Sequence, residues 1–289
     1  MPESLDTVFS AFPSALWAGL VMAVACSFLG VFVILKRVVF IGAALSQVAA
    51  LGVALGLLWE VSPLLSSVAV TFLTATLLAY PFETKRLPRD AVLGIIFVVA
   101  SAASILVVAK GGFELANVRA RLYGDLILTT GADLKTILVI LLPVMAAMLL
   151  FLRPIVITFA DRDEAKVLGI RVVFWELFFF YALGLTVSAA STIGGMLLVF
   201  CFLVVPPATG LLLANRLWLV LLLSALSAAV ATLVGLCGAV EYDWPTNHVI
   251  AMVSTMLFVL ALVAKGPLVM VARLRVRSCA ADRGVPSAD

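Results

Sequence analysis

An all-α protein that crosses a membrane about nine times is the fold class this sequence predicts, and three observations carry it. Of its 289 residues, 64% are hydrophobic and 12% charged, against about 45–50% apolar and about 25% charged in soluble domains. Apolar stretches of span length recur between short charge-bearing breaks from residue 13 to residue 264, and a hydrocarbon core takes roughly 20 such residues per helix. Lys and Arg fall mostly in alternate breaks, as membrane topology demands. A water-soluble globule is excluded. A membrane domain over 1–266 leaves only a polar tail, 267–289, outside it.

The chain begins with Glu3 and Asp6 and no basic residue before the first apolar run. It lacks the positive start of a cleavable signal, so that run is expected to remain as a span. Spans are predicted over 13–35, 39–58, 62–81, 91–109, 133–152, 173–191, 193–214, 217–239 and 246–264. In the second, Gly52 and Gly56 form a small-xxx-small pair, most simply a close-packing surface. The connection 110–132 mixes Gly111, Gly112, Glu114, Arg119 and Asp125 with Leu and Ile. It reads either as a re-entrant helix beside a cavity or as a helix lying flat on the outer surface.

The longest connection on the opposite side runs from Phe159 to Arg171. Asp161 is placed to cap a short helix, Asp163 and Glu164 sit in its first turn, Ala165 follows, and Gly169 is placed as its C-terminal stop. This is either a docking surface for a cytoplasmic partner or a solvated connector. Further on, Ser188, Ser191, Thr192, Gly194 and Gly195 mark a break between spans. Pro206 and Pro207 then remove two amide donors and free the carbonyls of Phe202 and Leu203, giving a gate or cavity lining, or else a packing kink. The tail 267–289 is expected to be disordered, with Arg273, Arg275 and Arg277 placed against anionic lipid.

With the N-terminus outside, 15 of the 19 Lys and Arg fall on the inner side and only Lys110, Arg119, Arg121 and Lys135 on the outer. The C-terminus is then cytoplasmic, which needs an odd number of spans. The formal charge of +3 is too small for a nucleic-acid surface. Cys26, Cys201, Cys237 and Cys279 form no CxxC pair and read as small apolar residues. Neither HExxH, a phosphate-binding GxxxxGK[ST] nor GxGxxG occurs, and there is one histidine. An enzyme is not expected, no cofactor is expected on this chain, and any ATP must be used by another. The span centres carry no Asp, Glu, Lys or Arg, which speaks against a proton- or sodium-coupled carrier.

Several stretches, in order, resemble the zinc/manganese permease family of ABC importers. They are Gly30 to Gly56 around Ser46 and Gln47, Leu122 to Leu128, the inner stretch with Asp161, Glu164, Ala165 and Gly169, and Gly194-Gly-Met-Leu-Leu-Val with Pro206-Pro-Ala208. The resemblance covers about residues 14 to 264. It implies a subunit of the bacterial cytoplasmic (inner) membrane that pairs with a second copy of itself, with a cytoplasmic ATP-binding-cassette ATPase and with an extracytoplasmic substrate-binding protein. The cargo would be a divalent metal of the zinc or manganese class, and the helix at about 160–171 would couple it to the ATPase.

One departure concerns the cargo. Where the family commonly carries an Asp and a His four residues apart in the second span, this sequence has Ala43 and Gln47. A neutral amide is a poor zinc ligand. Either coordination moves, with Glu241, Asp243, His248 and Asp125 as candidate ligands, or the cargo is a metal chelate or other small solute of the siderophore or cobalamin kind. For the latter, a neutral path along Ser46, Gln47, Pro206 and Pro207 suffices. A non-transporting membrane scaffold is the reading from a different class.

Overall fold

The structure, a computed structural model, describes residues 12–79, 89–110, 124, 126–160 and 162–282. Among them every regular element is helical: α1 (Pro13–Leu35), α2 (Phe40–Leu58), α3 (Pro63–Ala79), α4 (Arg89–Lys110), a 3₁₀ turn (Leu126–Leu128), α5 (Gly131–Leu150), α6 (Leu152–Ala160), α7 (Arg162–Val167), α8 (Val172–Leu213), α9 (Leu217–Tyr242) and α10 (Thr246–Asp282). Seven of these helices are long and apolar enough to cross a membrane, and Pro63–Leu78 is a shorter apolar helix. α8 has 42 residues but is interrupted at Gly195, whose φ of 73° and ψ of 163° are not helical.

α1 and α2 form the centre, with 72% of their apolar windows buried, whereas α4, α5 and α10 are peripheral at 22%. α2 carries three Gly and five Ala among its 19 residues, and a Cβ on Gly52 would lie 2.4 Å from the Ser67 Cα, one on Gly56 2.2 Å from Ser66 Oγ. Only bare backbone lets α3 come this close, so the two glycines pack helices.

Contacts sort the helix ends into two sets. At one end, Ser14 Oγ donates to the Thr129 carbonyl (2.7 Å) and Asn247 Nδ2 to those of Gly124 and Gly194 (2.9 Å each). At the other, Lys36 at the end of α1 pairs with Glu176 near the start of α8 (3.0 Å), and Lys265 donates to the Leu212 carbonyl. The pairs Gly194–Asn247 and Leu212–Lys265 are both separated by 53 residues, so α8 beyond Gly195 runs parallel to α10.

The two prolines extend this segment without breaking it, since helical dihedrals continue through both. Pro207 removes the amide that would bond the Leu203 carbonyl, and that carbonyl faces α1: a Cβ on Gly30 would lie 2.2 Å from Leu203 O and 2.6 Å from Pro207 Cγ. The Leu203 carbonyl and Pro207 therefore form a joint with α1.

Two elements differ from expectation. α6 falls between the span predicted to end at 152 and the connection that starts at Phe159, where no element is expected. Pro in a first turn costs no helical bond, and Ile155 is fully buried while Phe159 meets the Phe179 ring edge-on at 4.9 Å. α10 continues to Asp282, so 267–282 is helical rather than disordered. No glycine or proline interrupts 268–282, and its Leu, Met, Ala and Arg favour a helix.

The connection 110–132 lies largely outside the described residues. Its described end enters the bundle, with Leu126 fully buried over Gly19.

Candidate functional site

The short charged helix predicted between Phe159 and Arg171 is present and stops at Gly169. α7 spans Arg162–Val167, Glu164 is exposed, and Ala165 is fully buried. Gly169 has φ 72°; its amide bonds Lys166 O (3.0 Å) and the Ile170 amide bonds Ala165 O (2.9 Å). This Schellman arrangement closes the helix with a left-handed residue. Val167 and Leu168 stand 88% and 59% exposed beside Glu164 and Lys166, giving the loop an apolar tip with a charged rim. Asp161 lies outside the described residues, as does the side chain of Asp163. Gly169→Ala is expected to cost about 1–2 kcal/mol by forcing a Cβ into the left-handed region. No atom lies within 4 Å of the added carbon. Thermal melting of the purified variant measures that loss, which should be local to the loop.

A buried polar seam runs between α2, α3 and α8. Ser67 Oγ donates to the Ala49 carbonyl (3.0 Å) and shares a 2.6 Å hydrogen bond with Ser188 Oγ. One turn lower on α2, Ser46 Oγ returns to its own helix at Gly42 O (2.8 Å). Gln47 Nε2 donates to Met196 Sδ (2.8 Å), just beyond the Gly195 break. Ala43, Gln47 and Leu51 share one face of α2 by the i, i+4 rule. Ala43, Leu51 and Met196 are half-buried, while Gln47 is 7% exposed. This face of α2 is therefore uncharged at the level of Met196, with the Gln47 amide buried between half-buried Ala43 and Leu51.

Above it the Gly195 break is held from outside α8. Gly124 has φ 54°, and a Cβ there would lie 2.5 Å from Gly195 N. Asn247 ties the two segments together by its hydrogen bonds to the Gly124 and Gly194 carbonyls. Asn247→Ala leaves two carbonyls short of their donor, at about 1–3 kcal/mol each. A lowered melting temperature with unchanged helix content is the expected result.

The candidate metal ligands do not come together. Glu241, Asp243 and His248 are all exposed, and Asp243 serves as the left-handed C-cap of α9 at φ 52°. Asp125 lies outside the described residues. Among the described residues no three His, Cys, Asp or Glu side chains are grouped to hold a metal. Cys26, Cys201 and Cys237 are free thiols within the helices.

Sequence reasoning missed Met196, Asn247 and the pair Lys36–Glu176. Each joins residues more than 50 positions apart, a distance at which periodicity carries no signal. Glu176 itself is visible in the sequence as a carboxylate close to the inner end of the span 173–191, but its partner Lys36 is not.

A family model described as "ABC 3 transport family" matches residues 9–265. The chain belongs to this family. It is similar to the "Manganese transport system membrane protein MntC" of Halalkalibacterium halodurans, 30% identical over 256 residues, which are 88% of this chain and 87% of that protein. It is 29% identical to the "High-affinity zinc uptake system membrane protein ZnuB" of Haemophilus influenzae, over 86% of this chain and 95% of that one. Among solved structures, "PsaBC from Streptococcus pneumoniae in complex with Fab" superposes with a TM-score of 0.81 at 22% identity, covering 90% of this chain and 95% of that chain. A second, titled "An inward-facing conformation of a putative metal-chelate type ABC transporter", gives 0.68 at 20%, over 90% and 88%. These two share the fold. As a member of the ABC 3 family with seven span-length apolar helices, the chain is a multi-pass membrane transport protein.

Proposed function

We propose that this chain is the permease subunit of an ABC importer that moves a divalent metal of the manganese or zinc class across the bacterial inner membrane. The observation that carries the reading is the likeness, over 88% and 86% of this chain, to membrane proteins of a manganese transport system and a zinc uptake system. Two copies form the path, an ATPase on another chain docks at 161–171, and an extracytoplasmic protein delivers the metal. The capped α7, with apolar Val167 and Leu168 exposed beside charged neighbours, supports the docking role.

Nine crossings follow when α8 counts as two passes about Gly195 and α3 as one. The Lys36 end then faces the cytoplasm with 15 of the 19 Lys and Arg. Exposed Trp17, Trp59, Tyr242 and Trp244 fall at the outer boundary and exposed Phe174 and Trp218 at the inner one, in keeping with interfacial aromatic belts.

The cargo path runs along the Ala43–Gln47–Leu51 face beside Ser46 and Met196, with the Leu203 carbonyl and Pro207 keeping α8 on α1. Gln47 and Met196 offer an amide and a thioether, weak ligands for zinc or manganese. A metal held weakly is released readily. The same neutrality favours a second reading, in which the metal enters already chelated. ATP-dependent uptake of free manganese or zinc by vesicles holding the complex, set against uptake of the chelated ion, separates the two. Free-ion uptake supports the first reading, and uptake of the chelate alone supports the second. Gln47→Ala is expected to change uptake several-fold without altering ATPase binding, checked by flux and co-purification in parallel.

A further inference from the structure

We propose that Lys36 is the positioning residue through which movement of the 161–171 segment reaches the central helix α1, a role that rests on the docking reading above. Its ammonium makes three contacts at once: Glu176 Oε1 at 3.0 Å, the Phe159 ring centroid at 4.7 Å and the Phe180 centroid at 4.4 Å. Phe159 lies in the last turn of α6, just before the segment, and Glu176 lies in the first turns of α8, just after it. One side chain thus grips both flanks of the loop.

The grip is set rigidly. Lys36 is the C-cap of α1, where the helix dipole favours a cation. The turn behind it is closed by Arg37 at φ 58°, with Arg37 N bonding Ile34 O and Val38 N bonding Val33 O (2.9 and 3.2 Å). Both charged side chains are more than nine-tenths buried. A buried charge separated from its partner is heavily penalised, so the end of α1, the end of α6 and the start of α8 are held to move together. The neighbouring Phe32, Phe179 and Phe159 rings also join these helices, but apolar contacts permit sliding where a paired charge does not.

What α1 then moves is the path. Gly30 receives the Leu203 carbonyl and Pro207, and Met22 reaches Gly194, one residue before the break that precedes Met196 and its bond from Gln47. A continuous chain of contacts leads from the docking segment to the polar face of α2. Such a chain transmits movement when its joints have few alternatives, and the Lys36–Glu176 pair is the joint nearest the ATPase.

The test uses the complete complex of permease dimer, ATPase and binding protein in vesicles, with manganese and zinc ions as probes. It compares ions moved per ATP hydrolysed, together with the permease melting temperature. Lys36→Met combined with Glu176→Gln removes both charges, so neither is left buried alone. Hydrolysis near the wild-type rate with ions per ATP lowered about tenfold is expected, within the usual range of coupling between sites. Lys36→Arg keeps the charge and is expected to retain most of the coupling. Wild-type coupling in the double variant, or loss in Lys36→Arg as large as in the double variant, overturns the proposal. Should the double variant fail to assemble, Glu176→Asp shortens the reach at constant charge: lowered coupling supports the role, and unchanged coupling overturns it. A wild-type complex that moves neither ion contradicts the transport reading itself, before any variant is compared.

Discussion

Gly30→Ala is expected to prevent the chain from forming a stable bundle, while Gly94→Ala leaves it intact or slightly more stable. Both are glycines inside apolar helices and look equivalent in sequence. The added methyl at residue 30 would lie 2.2 Å from a backbone carbonyl and 2.6 Å from a proline ring, neither of which can rotate away. α1 must then separate from α8, opening the central contact of the fold. Overpacking of this kind costs about 1–3 kcal/mol where side chains can yield; against rigid backbone at least about 3 kcal/mol is expected. At Gly94 no atom lies within 4 Å, and replacing helical Gly by Ala gains about 0.5–1 kcal/mol. Thermal melting of the detergent-solubilised variants, with size-exclusion profiles to detect aggregation, distinguishes them. Equal melting temperatures would mean that α1 and α8 do not meet at Gly30.

Lys36→Met alone is expected to be far more damaging than its pairing with Glu176→Gln. The single variant leaves the Glu176 carboxylate buried, 4% exposed, without the cation at 3.0 Å. Removing one partner of a buried pair costs about 3–5 kcal/mol, whereas replacing both by neutral groups is often close to neutral. The second substitution should therefore rescue most of the lost stability. Measuring the two singles and the double in the same detergent gives the coupling energy. Additive losses would show that the pair is exposed to water and contributes little.

These two effects mark where sequence reading stops. Spans were legible because the bilayer sets both length and hydrophobicity, and α1, α2, α4, α5 and α9 fall within a few residues of their predicted ranges. The stop at Gly169 was legible because a left-handed C-cap depends on local chemistry. The break near Gly194 and Gly195 was likewise visible, though not that Gly195 alone leaves the helical region while Asn247 and Gly124 hold it. α6 lies outside the predicted spans because its packing rests on the burial of Ile155 and on the Phe159–Phe179 contact, which no local pattern records. Gln47 was singled out in its span, yet its partner Met196 lies 149 residues away and Lys36 meets Glu176 across 140. Such pairings are decided by how helices pack, and one sequence does not encode them in any local pattern.

Metal flux through the assembled importer is the most direct measurement of function. Purified permease is placed in vesicles with the proposed ATPase partner inside and the proposed binding protein outside, and manganese or zinc accumulation is followed with and without ATP. ATP-dependent accumulation of at least one free ion, lost when 161–171 can no longer engage the ATPase, is the predicted result. ATP hydrolysis by a properly assembled complex with no accumulation of either ion would contradict a manganese- or zinc-importing permease.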